Sequence, residues 1–211
     1  MSLKKLKYKA AVEIPPLPID TYMGVCVAVV ELGEQYQQYD KQKQGKYVNE
    51  CMFIFEIPGE RIQIDGEDKP RWVNRRVSQL ISPTSTLYGI LESWRGHPLT
   101  EQEKVSGVDL TALNGKPAML SVTIKEGKDG KARNAITAIS KFPKGVVPPQ
   151  PESELLLFDI DEPDMETFSK LPKWVQNTIA KSTQFANNPP VEKIEFSTVQ
   201  DTDESGEVCP I

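Results

Sequence analysis

A mainly β body of five strands with one inserted helix, followed by a helical appendage and an acidic tail, is the fold class this sequence predicts. Three observations carry it. Apolar, β-branched runs recur at short intervals between turn signals, the mark of a strand meander. One amphipathic helix with its own start and stop signals falls between the third and fourth of these runs. A proline cluster at Pro148, Pro149 and Pro151 then divides the 211 residues into two halves of opposite charge.

The opening segment carries Lys4, Lys5, Lys7 and Lys9, then Ile14-Pro15-Pro16-Leu17-Pro18. Prolines lack a donor and bias their neighbours to extended geometry, so residues 1–19 read as a basic, proline-rich arm. Residues 21–32 (TYMGVCVAVVEL) predict the first strand, with a bend or bulge at Gly24. Residues 33–45 are polar and aperiodic and form a loop or hairpin end. Residues 47–57 (YVNECMFIFEI) resume a strand with Cys51, Phe53, Phe55 and Ile57 on one face. Pro58-Gly59 is expected to end it, with a short strand at 61–64 and another at 71–77 (RWVNRRV) completing an antiparallel meander.

Leu87, Ile90, Leu91 and Trp94 stand at i, i+3, i+4 and i+7, behind Thr84 or Ser85 as cap and ahead of Gly96 and Pro98. Thr100 and Glu103 fit a capping box for a second, short helix. A fourth strand at 117–125, a loop with an Asp-Gly signal at 126–131 and a fifth strand at 132–142 follow. Three strands, a helix and two strands match the five-stranded Greek-key barrel of the oligonucleotide-binding (OB) fold over residues 20–145. Another small β-barrel or sandwich with a helix is the competing architecture. Residues 146–154 form a proline-rich linker. A helix from Pro172 to about Phe185 is the centre of an appendage at 155–186, and 187–211 is an acidic, flexible tail.

Composition narrows the function. No apolar run approaches the roughly 18 residues that span a bilayer, and the start lacks a signal-peptide core, so a soluble, cytoplasmic protein without a membrane partner is expected. Cys26, Cys51 and Cys209 have no C-x-x-C spacing and read as reduced thiols, and a single histidine, His97, leaves no zinc pattern and little for nucleophilic catalysis. The acidic run Asp159, Asp161, Glu162, Asp164 reads as a solvated linker rather than a magnesium site. We expect no catalytic residues, no metal and no cofactor.

Residues 1–147 carry 21 Lys and Arg against 17 Asp and Glu, whereas residues 148–211 carry 4 against 13. A mildly basic body with an acidic appendage points to partners. In an OB barrel the loops between strands one and two and between strands four and five flank the ligand. Here the first holds Lys41, Lys43 and Lys46 among Tyr36, Tyr39 and Tyr47, and the second holds Lys125, Lys128, Lys131 and Arg133. Lysines neutralise phosphates, and aromatic faces stack bases without reading sequence. On the third strand, alternation puts Arg71 and Arg75 on one face and Trp72 and Arg76 on the other, so only one pair meets a ligand, and Trp72 is equally read as core. Each of these loop side chains also has a bland reading as a solvated lysine or a tyrosine closing the core.

The segments YMGVCVAVVELG (22–33), ECMFIFEIP (50–58), STLYGILESWRGHPLTEQE (85–103), LNGKPAMLSV (113–122), KFPKG (141–145) and LPKWVQNTIAKSTQF (171–185) resemble the OB-fold single-stranded DNA-binding proteins of tailed bacteriophages and prophages. The likeness runs over roughly residues 20–185 as distributed patterns. It implies a DNA replication or recombination accessory that coats single-stranded DNA in the bacterial host cytoplasm. The end of the chain, with Asp201, Asp203, Glu204 and Glu207 before Val208-Cys209-Pro210-Ile211, resembles the acidic tail of bacterial single-strand-binding proteins. That likeness implies recruitment of replication or recombination proteins, although the tip is isoleucine where that tail has phenylalanine. A plain flexible terminus is the other reading. A non-enzymatic phage adaptor that uses the barrel as a scaffold to dock on a host or replisome protein is the rival function, and a mediator or nuclease partner a third. A homo-oligomer fits any of them.

Overall fold

Residues 14–38, 44–64, 66–127 and 129–187 are described by the structure, a computed structural model. Strands β1 (Asp20–Gln37), β2 (Lys46–Ile64) and β3 (Glu67–Ser78) form an antiparallel meander, and β4 (Pro117–Glu126) pairs with β5 (Ala132–Lys141). Their order in the sheet is β3-β2-β1-β4-β5. One long strand serves two neighbours: Asp20 to Val25 of β1 pair with β4, and Val25 to Gln37 pair with β2. The change of partner requires a bend. Register shifts between Cys26 and Ala28 and between Glu31 and Gly33 supply it. Gly24, the bend expected from sequence, instead permits close approach, since a Cβ there would meet Leu120 Cδ1 at 2.5 Å and Glu56 O at 3.2 Å.

The outer edges of β3 and β5 turn toward each other and are joined through side chains. Arg75 Nη1 donates to Ile136 O at 2.9 Å, and Arg71 Nη2 lies 3.5 Å from Asn134 Oδ1. Within this curled sheet sits the first core: Cys51, Phe53, Phe55 and Ile57 from β2, Val73 and Val77 from β3, Leu120 and Val122 from β4, and Ile136 and Ile139 from β5. Helix α1 (Thr86–Arg95), between β3 and β4 in the chain, closes it with Leu87, Ile90, Leu91 and Trp94. Ser85 caps α1 by accepting from Tyr88 N, and Gly96 ends it at φ 74°, where a side chain would be strained. The Trp94 indole donates to Pro117 O at 2.9 Å and stands edge-on to Phe53. Thr100 and Glu103 form the expected capping box of α2 (Glu101–Ser106).

Pro58-Gly59 does not end β2. The chain passes it as an irregularity between Ile57 and Arg61 and resumes pairing with β3 to Ile64, because a bulge absorbs a proline that a ladder cannot. The predicted helix over 172–185 is likewise divided, into α4 (Lys173–Ala180) and α5 (Thr183–Asn187). Between them Ser182 is fully buried, its hydroxyl donating to Ile179 O and accepting from Phe185 N, and this local exchange of bonds competes with helix continuation.

The appendage is a second layer of the body. Strand β6 (Leu156–Phe158) lies parallel to β1 opposite Ala28, Val29 and Val30, and α3 (Met165–Lys170), α4 and α5 follow. Val25, Val27, Val30 and Leu32 of β1 and Met52 and Ile54 of β2 form a second core with Leu156, Phe158, Phe168, Leu171, Val175, Ile179 and Phe185. At about 1.5–3 kcal/mol per fully buried large apolar side chain, this face is what holds the C-terminal segment to the body. Both sides of β1 and β2 are therefore covered.

Cys26 and Cys51 lie in the first core, fully buried. Burial pushes the Cys26 thiol far up, and burial with the nearby Glu31 and Glu50 carboxylates pushes Cys51 up to about 12. Since the thiolate is the reactive form, neither is expected to label with iodoacetamide at pH 8 until denaturant unfolds the chain, and mass spectrometry of native and unfolded samples checks this.

Candidate nucleic-acid interface

Beyond the covered core, β1 and β2 run on as a two-stranded ribbon, and its last pairs are Tyr36 with Tyr47 and Gln37 with Lys46. The two tyrosine rings meet at 5.4 Å in an edge-to-face arrangement and remain 51% and 58% exposed. Gly45 lies directly against the Tyr36 ring and leaves no room for a Cβ, so this glycine is needed for the ring's position. Lys46, exposed at the same ribbon end, precedes Tyr47 in β2 and by strand alternation faces the other side of the ribbon. Large aromatic faces turned to solvent are one element of a base-stacking platform, and a cation at the same end of the ribbon is another. Tyr39, Lys41 and Lys43 of the same loop lie outside the described residues.

Lys125 and Arg133 are cross-strand partners at the other predicted loop, with Lys131 two residues further along. Lys125 and Lys131 are exposed. Arg133 makes a bidentate pair with Asp129 at 2.7 and 2.6 Å. Burial raises the Asp129 carboxyl, but the Lys131 N–H and the Arg133 guanidinium offset this and hold it below the usual carboxylate range. Lys128 lies outside the described residues. The two loops leave the sheet at opposite ends of β1: Tyr36 is near its C-terminus, while Asp20 at its N-terminus faces Val122, three residues before Lys125. A ligand touching both lies along the barrel, over a strand contour of up to about 60 Å at ~3.3 Å per residue.

The third-strand residues are committed to the fold. Arg71, only 9% exposed, and Arg75 face the seam with β5, as described above. On the opposite face Arg76 pairs with the buried Glu50, which also accepts from Gln37. Trp72 packs against the second core and directs its indole N–H at Glu56 Oε2, 3.4 Å away. Alternation alone separates the two faces correctly, but the partners that occupy each guanidinium come from β5 and from β2.

Sequence reasoning did not single out the carboxylates of β1 and β2, which bind the C-terminal layer. Glu56 is fully buried and accepts from the backbone N–H of Glu152 at 2.7 Å and of Ser153 at 3.1 Å. Glu31 accepts from Gln79 Nε2 and lies 3.4 Å from Ile160 N; Glu34 accepts from Thr183 Oγ1. Arg61 bridges Glu152 and Asp68, and within the layer Lys170 bridges Glu154 and Glu166. Of these ion pairs, Arg61 with Glu152 ties a C-terminal carboxylate to the body, while Lys170 with Glu154 and Glu166 braces the C-terminal half itself. Asp164 caps α3 by accepting from Glu166 N and Thr167 N, and the Thr167 hydroxyl with these N–H groups holds its carboxyl below the usual range. Among the described residues no group of three or more His, Cys, Asp or Glu is arranged to hold a metal ion. No helix among them is long and apolar enough to cross a membrane.

The proposed partner residues Asp201, Asp203, Glu204, Glu207, Pro210 and Ile211 lie outside the described residues. Compared with family models, with curated proteins and with solved structures, the chain matches none.

Proposed function

We propose that this chain is a single-stranded DNA-binding protein of the tailed-phage type, built on an OB fold, serving replication or recombination and binding by electrostatics and base stacking without sequence readout. The observation that carries the reading is the exposed Tyr36–Tyr47 pair, with Lys46 exposed at the same end of a β1–β2 ribbon in a sheet of order β3-β2-β1-β4-β5. That order, with α1 between β3 and β4 and side-chain bonds between the β3 and β5 edges, supports the OB reading, which expects a five-stranded Greek-key barrel. Its loop between β1 and β2 is where such a barrel meets an oligonucleotide. The acidic residues of 188–211 compete with DNA for the same cations and recruit replication or recombination proteins.

The adaptor reading has an observation of its own: the outer face of β1 and β2, with Trp72 of β3, is covered by residues 152–187, and the strand 2–3 face is the one OB folds offer to ligands. One titration separates the two. Labelled oligo-dT of about 30 nucleotides is titrated by anisotropy with the full chain and with a chain ending before Asp201, across a salt series and with duplex as competitor. DNA binding is supported by an affinity that falls steeply with salt, resists duplex and rises on truncation. No binding at low salt leaves the adaptor.

A further inference from the structure

We propose that Gln184 of α5 is a positioning residue for the Tyr36–Tyr47 pair, so that docking of the C-terminal helices sets where the two rings stand; its effect on binding rests on the function proposed above. β1 loses its outer neighbours in stages. Pairing with β4 ends at Val25 and pairing with β6 at Val30, and among the described residues no strand lies along that edge further on. The backbone also changes course there, because Leu32 is an extra residue between the pairs Glu31 with Cys51 and Gly33 with Glu50. A two-stranded ribbon beyond such a point has little of its own to hold its direction.

Carboxamides supply the bonds that a neighbouring strand would have made. Gln184 Oε1 accepts from Glu34 N at 2.8 Å, and its Nε2 lies 3.4 Å from Asn49 Oδ1 on β2. The buried Gln35 donates through Nε2 to Leu32 O at 2.7 Å and to Thr178 O of α4 at 3.0 Å. Gly33, at φ 73°, leaves no room for a Cβ against Ile160 and Ser182, so the bulge lies flush on the C-terminal layer. Glu34 and Asn49 are a register pair, and Tyr36 and Tyr47 are the pair two residues further along each strand, on the same face. Gln184 therefore meets both strands one step below the rings, about 7 Å along the ribbon at ~3.3 Å per residue.

Gln184→Met keeps the length of the side chain and removes both bonds. In the full chain with fluorine-labelled tyrosines, the fluorine signals of Tyr36 and Tyr47, assigned with Tyr36→Phe and Tyr47→Phe, should shift in this variant, while those of Tyr22 and Tyr88 in the barrel stay in place. The Glu34 amide, protected in the unaltered chain, should exchange its hydrogen at least about tenfold faster in the variant. Binding of labelled oligo-dT of about 30 nucleotides should weaken about 3- to 10-fold at unchanged salt slope, because the ribbon must then be ordered on binding and no charge is altered. Tyr36 and Tyr47 signals that do not move overturn the proposal, whether or not the urea midpoint falls, since Gln184 is then a helix contact only. A Glu34 amide that exchanges in the unaltered chain as fast as an open strand edge overturns it without any variant. Absence of oligo-dT binding by the unaltered chain removes the proposed function instead, and the fluorine spectrum still decides the positioning.

Discussion

Replacing Tyr36 and Tyr47 together by alanine is expected to weaken oligo-dT binding by about 30- to 1,000-fold, from about 2–4 kcal/mol of lost stacking, with little change in the salt slope. Base–aromatic stacking is worth about 1–3 kcal/mol per base. Both rings are more than half exposed, and the pair lies at the ribbon end, beyond the residues that make the two cores, so their removal leaves the folded body intact. Anisotropy titration of the double variant, with its urea midpoint as control, is the measurement. Phenylalanine at both positions should retain most of the affinity, because the π faces remain. Unchanged affinity in the alanine variant would remove the tyrosines from the site and leave the lysines to account for any binding.

The second large effect is structural. Glu56→Ala is expected to destabilise the chain by about 3 kcal/mol in urea unfolding. The loss leaves three partly buried donors, the N–H groups of Glu152 and Ser153 and the Trp72 indole, without their shared acceptor, at about 1 kcal/mol each, the low end of the cost for an unpaired donor. Glu56→Gln should be milder, since its amide oxygen still accepts one bond. A destabilisation below about 1 kcal/mol for the alanine variant would mean that apolar contacts alone hold residues 152–187 in place.

Much of the first core was legible in the sequence. Alternation through Cys51, Phe53, Phe55 and Ile57, the helical stripe from Leu87 to Trp94, the cap at Ser85 and the left-handed Gly96 are local patterns, and local physics decides them. The second core was not read, although its signal was present. VCVAVV in β1 and CMFIF in β2 are continuous apolar runs, and a strand with one wet face would have alternated. Those runs called for a covering layer that Leu156, Phe158, Phe168, Val175 and Ile179 provide, from a segment more than a hundred residues away. Pairings of that separation leave no local trace. The same limit applies to the site. Aromatic and basic composition located Tyr36, Tyr47 and Lys46, but composition does not show that Arg75 is bound to Ile136 O or that Arg76 is bound to Glu50.

The parallel pairing of β6 with β1 bears on biosynthesis. β1 and β2 are complete once Ile64 has been made, yet the residues that cover their outer face end only at Phe185, about 120 residues later. At ~5–20 residues per second, the nascent chain carries an uncovered strip of Val27, Val30, Met52 and Ile54, with the β1 edge still unpaired at Ala28 to Val30, for about 6–24 s. During that interval this apolar strip is open to water, and β6 with the C-terminal helices ends the exposure when they dock.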